Sequence, residues 1–213
     1  MTASHSTNRV LIIRPSALGD VCRTVPVLAS IRRSMPDARI DWLVRDVFVD
    51  AIAAHPALDD VLPFPRARFA RWWRDGASIR EIVRWLGDLR RGRYDLVIDC
   101  QGLGRSGLMA LATGAPHRIG PRSARELAWL GYTVRVPLNG SMHTVDRMLA
   151  LLPEAGIQPV PDMRLYAPER DVLAWSTERE ALGVEGRYAV LAPTARWSSK
   201  RWPVDRWRAL LEP

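Results

Sequence analysis

The segment Arg14-Pro15-Ser16-Ala17-Leu18-Gly19-Asp20 puts a carboxylate at the end of a short turn. A carboxylate beside a cleft can take the proton of a hydroxyl as that oxygen attacks, which makes Asp20 a candidate general base. Aspartate is also among the best helix N-caps and suits the positive end of the helix dipole, so a capping role competes with the chemical one. The turn has a single glycine, Gly19, and carries neither the GxGxxG fingerprint nor the P-loop signature, which weakens a dinucleotide or P-loop reading. A second group capable of binding is the run PRARFARWWR at residues 65–74, where Arg66, Arg68, Arg71 and Arg74 alternate with Phe69, Trp72 and Trp73. Guanidinium forks suit phosphate oxygens, and a basic and aromatic mixture can rest on an anionic membrane surface. An amphipathic loop with solvated arginines is the plainer alternative.

These residues need a frame to hold them. The apolar run at residues 9–14 is short enough for a buried strand, and Val21, Val25, Leu28 and Ile31 follow at helical spacing. The pattern repeats: strand at 39–44, short helix at 47–54, strand at 60–64, helix at 78–90, strand at 94–99. Beyond it come a helix from 102 to 113, strands near 117–120 and 133–136, and a helix over 144–155. Strands alternating with helices predict an α/β fold with a parallel sheet and right-handed crossovers, which puts Asp20 at the carboxyl end of the first strand, where such sheets bind ligands. Three prolines at Pro159, Pro161 and Pro168 mark a connector. The expected organisation is a disordered start at 1–8, a Rossmann-like domain at 9–158, a linker at 159–168, and from 169 the opening of a second Rossmann-like unit. That unit is expected to have helices at 169–182 and 203–211 and a buried strand at 188–192.

Composition limits the partners. A formal charge of +8 and a pI near 10.6 favour an anionic partner: nucleic acid, a phosphorylated lipid surface or a phosphorylated substrate. The nucleic-acid reading lacks any helix-turn-helix, RRM or zinc signature, and no nucleic-acid partner is expected. Cys22 and Cys100 have neither metal-ligand nor CxxC spacing, and no Asp-x-Asp triplet occurs, so no metal is expected. The apolar runs are too short to span a bilayer and the polar start lacks a signal peptide's layout, which predicts a cytoplasmic protein.

Four blocks in order resemble glycosyltransferase family 9: RVLIIRPSALGD, the stretch YDLVIDCQGLGRSG continuing to HRIG, HTVDRMLALL, and WSSKRWPVDRW. The resemblance implies a GT-B fold, with an acceptor-binding first domain and a nucleotide-sugar-binding second domain. It implies an inverting, metal-independent transfer of heptose from ADP-heptose to the Kdo-lipid A inner core of lipopolysaccharide, with no cofactor beyond the nucleotide sugar. It makes Asp20 the base and assigns donor contacts to Ser16, Gly19, Thr194, Ser198, Ser199 and Lys200, the last being the chain's one lysine. An ammonium, hydroxyls and backbone N–H groups near a helix start can offset the charge on a departing diphosphate. Acceptor contacts are expected from Arg66, Arg68, Arg71, Gln101, Arg118, Arg122 and His143, with peripheral contact at the inner face of the cytoplasmic membrane. For Gln101 and His143 a structural role, bonding loop or helix-start backbone, stays open. The family's donor domain continues beyond the lysine block, so a fragment with little transfer of its own, or a non-catalytic acceptor binder, is the alternative.

Overall fold

In the computed structural model, residues 9–70, 76–195 and 197–211 are described. They divide into two compact units that meet between Pro168 and Glu169. Arg71, Trp72, Trp73 and Arg74, and the expected disorder at 1–8, lie outside the described residues.

The first unit is a six-stranded parallel sheet in the order β3-β2-β1-β4-β5-β6. Its strands are β1 (Arg9–Ile13), β2 (Arg39–Arg45), β3 (Asp60–Phe64), β4 (Leu96–Asp99), β5 (His117–Pro121) and β6 (Val134–Val136). Both faces of such a sheet are covered by helices, so its central strands can be apolar throughout. In β1, Val10, Leu11, Ile12 and Ile13 are all fully buried. Val10 and Ile12 join a core with Leu28, Ile31 and Trp42 on one face, while Leu11 and Ile13 join Val97, Met109 and Phe64 on the other. The strand order reverses between β1 and β4, which opens a crevice above their carboxyl ends.

Helices α1 (Leu18–Cys22) and α2 (Val25–Ser34) follow β1. They divide at Thr24, whose hydroxyl donates to the Asp20 carbonyl at 2.8 Å, and Pro26 sits in the first turn of α2, where its missing N–H costs nothing. After β3 come α3 (Arg66–Phe69) and α4 (Gly76–Arg91), and α5 (Gly104–Thr113) leads from β4 towards β5. A Cβ on Gly107 of α5 would stand 2.4 Å from the Ala128 carbonyl, so only glycine lets the 3-10 turn Ala128–Gly131 pack against this helix.

Three elements differ from the sequence expectation. Residues Asp46–Ala51 form a 3-10 turn where an α-helix is expected. The helix expected over 144–155 stops as α6 (Thr144–Leu149), and Leu152–Ala155 continue as a 3-10 turn, because Pro153 lacks an N–H and its ring clashes with the carbonyl four residues back. The buried strand expected at 188–192 is absent: Tyr188, Val190 and Leu191 are exposed, and no strand among the described residues of the second unit lies beside them to complete a ladder. That unit consists of α7 (Glu169–Ala181), a 3-10 turn at Ser198–Lys200 and α8 (Val204–Leu211). Trp175 donates from Nε1 to the Tyr188 hydroxyl at 3.0 Å, and Trp202 meets Trp207 edge-on at 5.1 Å.

Candidate active site at the sheet reversal

Arg14 leaves β1 almost fully buried, and two of its guanidinium nitrogens are committed. Nη2 lies 3.0 Å from Asp20 Oδ2, and Nη1 donates to the Cys100 carbonyl beyond β4. A buried guanidinium held on two sides can fix a carboxylate because both arms of its fork have defined partners. Asp20 itself is one-third exposed, and its other oxygen, Oδ1, lies 3.8 Å from Arg23 Nη1. It does not cap α1: the N-cap is Ala17, with no side-chain bond to the helix. The capping alternative is therefore corrected. The carboxylate is drawn to Arg14 within the connection after β1, with one oxygen paired at 3.0 Å and the other 3.8 Å from Arg23.

The end of β4 is organised by Asp99, which is fully buried. Oδ1 accepts from the Gln101 N–H at 2.8 Å and the Gly102 N–H at 3.1 Å, while Oδ2 accepts from the Tyr132 hydroxyl at 2.6 Å. Burial raises the Asp99 pKa above the ordinary aspartate value, with these hydrogen bonds working against that shift. Burial and the Asp99 charge together push the Tyr132 phenol upward. Gly102 has φ +69, and a Cβ there would approach Pro121 to 3.0 Å, which explains glycine after Gln101. Gln101 Oε1 accepts from the Ser16 N–H at 3.2 Å, tying the two turns together.

Between these turns lies a cleft of about 360 Å³. Arg14, Asp20, Gln101, Ser123, Arg125 and Arg147 supply its polar wall. Of the expected acceptor residues, the structure brings Gln101 to this cleft and Arg66 to a small neighbouring one with Ser16, Arg45 and Arg105. Others are placed elsewhere. Arg68, itself exposed, pairs with Glu81 of α4 at 2.7 Å, and Phe69 is buried against Phe64 and Trp85, so this aromatic of the run packs into the core. Arg118 sits at the amino end of β5, away from the crevice, donating from Nε to the Gly131 carbonyl at 2.7 Å and from Nη1 to the Ala115 carbonyl. Its expected acceptor contact is corrected to a structural one. Arg122 is exposed beside the cleft but does not line it. His143 is the N-cap of α6, its Nδ1 accepting from Val145 N–H at 3.4 Å, which is the helix-start role.

Two arginines on the wall, Arg125 and Arg147, escaped the sequence reading. For Arg147 a signal existed: Thr144, Arg147, Met148 and Leu151 are spaced to share one face of a helix, and all four line the cleft. Arg125 sits in an aperiodic loop that is closed by its own N–H donating to the Gly102 carbonyl at 2.9 Å, a long-range contact without local signature.

Gly19 is exposed, and a Cβ there would meet nothing within 4 Å, so no contact inside the chain demands glycine. In the second unit Thr194, Ser198, Ser199 and Lys200 are all exposed, with the Lys200 N–H bonded to the Trp197 carbonyl at 3.0 Å. Among the described residues no group of three or more His, Cys, Asp or Glu side chains could hold a metal ion, and no helix is long and apolar enough to cross a membrane.

A parallel sheet in this order, with a polar crevice at its reversal point, defines a Rossmann-like domain, and its likeness to the solved E. coli heptosyltransferase WaaC makes it one of the GT-B class. Residues 82–213 match the model of glycosyltransferase family 9 (heptosyltransferase), and the chain belongs to that family. Lipopolysaccharide heptosyltransferase 1 of Pseudomonas aeruginosa is 33% identical over 208 residues, covering 96% of this chain and 57% of that protein. The protein of the same name from Escherichia coli K12 is 30% identical over 207 residues, covering 95% and 63%. Among solved structures, the E. coli heptosyltransferase WaaC with ADP-2-deoxy-2-fluoro heptose superposes with a TM-score of 0.74 at 27% identity, covering 95% of this chain and 64% of WaaC. The chain thus spans about three-fifths of the length of these relatives.

Proposed function

We propose that the protein carrying this chain is an inverting, metal-independent glycosyltransferase that moves heptose from ADP-heptose to the phosphorylated Kdo-lipid A inner core. The observation that carries this reading is the Asp20 carboxylate, held through one oxygen by buried Arg14 at the sheet reversal, where the residue lines a polar cleft. An acceptor hydroxyl in that cleft gives its proton to Asp20 while its oxygen bonds to the anomeric carbon, and the bond from that carbon to the diphosphate oxygen breaks with its electrons going to ADP. The ammonium of Lys200 and the hydroxyls of Thr194, Ser198 and Ser199 offset the charge gained by the departing diphosphate. Ser16 and Gly19 shape the turn around the reacting groups. The acceptor's anionic groups lie against Arg125, Arg147 and Arg66, where guanidinium forks match phosphate and carboxylate oxygens. A lipid-linked acceptor places the work at the cytoplasmic face of the inner membrane, where the basic surface favours anionic lipid.

The test is ADP release from ADP-heptose with Kdo-lipid A, using the protein that carries this chain and its Asp20→Asn variant. Release that vanishes in the variant supports the assignment. Unchanged release in Asp20→Asn would remove the base role, and no release by the wild type would remove heptose transfer to this acceptor. The family match and the names of the relatives support heptose and lipopolysaccharide over other sugars and acceptors.

A further inference from the structure

Beside the polar clefts runs an apolar groove of about 360 Å³ on the sheet face covered by α4 and α5. Phe69, Ile79, Val83, Trp85, Leu108 and Met109 line it. Ile79, Val83 and Leu108 are 47%, 63% and 54% exposed, more than packing between the two helices requires. Ile79 and Val83 are four residues apart on α4, so they form one ridge facing Leu108 of α5. Contiguous apolar surface of this kind marks a binding face more often than isolated exposed side chains do.

The groove does not end in solvent on all sides. Phe64, Arg105 and Met109 are shared with the small polar cleft that also holds Ser16, Arg45 and Arg66, and Gln101 and Leu103 join that cleft to the one containing Asp20. At the junction, Arg45 Nε is buried with no hydrogen-bond partner, and among the described residues no carboxylate pairs with Arg45, Arg66 or Arg105. A buried donor without an acceptor is costly unless a ligand supplies one; the Arg45 guanidinium also lies over the Phe48 ring and Arg105 is exposed to water, and three guanidinium groups with no carboxylate partner suit the junction to an anion. From Asp20 outward the order is therefore a carboxylate cleft, an anion-seeking junction and an apolar groove.

We infer that the groove seats a hydrocarbon chain of a phosphorylated amphiphile whose headgroup phosphate lies on Arg45, Arg66 and Arg105. This rests on the lipid-linked acceptor proposed above and adds where the chain of that acceptor goes. Apolar exposure, the arginine rim and continuity with the Asp20 cleft favour this occupant over a second copy of the chain, which carries the same positive charge and would bring arginine to arginine.

Binding can be read without turnover by titrating the protein with dihexanoyl phosphatidic acid below its micellar concentration and, separately, with glycerol 3-phosphate, which has the phosphate and no chains. The lipid is expected to bind about ten-fold more tightly or better, the effect of burying about two methylene groups. A Val83→Asp and Leu108→Asp double variant, at positions exposed enough to tolerate charge, should lose that advantage and keep its affinity for glycerol 3-phosphate, with the urea midpoint checking that it folds. Arg105→Ala should weaken both ligands. Equal affinity for the two ligands, or a lipid preference that survives the double variant, would overturn the inference, as would self-association abolished by the same substitutions, which would assign the face to a second copy. Failure of the transfer reading would appear separately, as no ADP release by the wild type with deacylated Kdo-lipid A, an acceptor that bypasses the groove.

Discussion

Asp20 lies in the first turn of α1 and Lys200 in a 3-10 turn before α8, and the chain treats the two charges differently. Asp20 is gripped by tertiary structure: a buried arginine from β1 reaches it, that arginine also bonds the turn after β4, and the carboxylate is only one-third exposed. Lys200 is exposed in a 3-10 turn whose hydrogen bonds run to Trp197 and Ser198, its near neighbours. A carboxylate that must receive a proton along a defined direction gains from being pre-oriented, since orientation is already present before the substrate arrives. An ammonium is a flexible point charge with rotatable donors, and it can be ordered by the phosphate it meets, at an entropic cost.

The contrast can be broken most directly at Asp20. Replacement by Asn keeps the size and the bond from Arg14 but removes the proton acceptor, so kcat for ADP release should fall by about 10²–10⁴-fold. A fall of less than about ten-fold would mean that the gripped carboxylate is not the base. Lys200→Ala should act next most strongly, lowering transfer by about 10²-fold, while leaving the unfolding free energy from urea titration within about 0.5 kcal/mol of wild type. A large loss of stability there would show that Lys200 is held by more than its local turn.

The cleft arginines sharpen the comparison at smaller scale. Arg125→Ala should raise KM for the acceptor by about ten-fold with little change in kcat, as expected for an interaction made equally in ground and transition states. Arg118→Ala should leave that KM unchanged and cost stability of about 1–2 kcal/mol, because it removes two side-chain bonds to backbone carbonyls. Reversal of these two outcomes would move the acceptor to the wrong end of β5.

The smallest effect belongs to the Asp99 network and is visible through pH. Because burial raises the folded pKa of Asp99 above its unfolded value, the folded state holds that proton to higher pH than the unfolded chain does. The contribution of Asp99 to stability is then greatest below the unfolded value and declines as pH rises from there through the folded value. Asp99→Asn, which carries no titrating proton, should lack this decline, and unfolding midpoints of the two proteins measured from about pH 4 upward should diverge. Parallel curves would show that Asp99 titrates no differently in the folded chain.

Much of the frame was legible from local pattern. The apolar run at β1, the helical spacing of Val21, Val25, Leu28 and Ile31, and the alternation of strand with helix are properties of short segments, and they put Asp20 at a carboxyl end of the sheet. The failures were equally physical. The expected strand at 188–192 has the apolar composition of a core strand, but a strand exists only with a neighbour to complete its hydrogen bonds. Arg118 and Arg125 are indistinguishable as basic residues in a polar stretch. Which of them faces the cleft depends on β5 running from the edge where Arg118 lies to the crevice where Arg125's loop closes on Gly102.

By itself the sequence determined the order and type of most elements of the first unit, the identity of the carboxylate and the family motifs, because periodicity, turn chemistry and motif spacing are encoded within stretches of a few to a few tens of residues. Only the tertiary structure decided that Asp20 is paired with Arg14 instead of capping its helix, that Asp99 and Tyr132 brace the second turn, and that Arg125 and Arg147 complete the cleft. Asp20 and Arg14 are close in sequence, but Arg14 is fixed by the Cys100 carbonyl 86 positions further on, and Asp99 and Tyr132 are 33 positions apart, so these contacts depend on how the strands are ordered in the sheet.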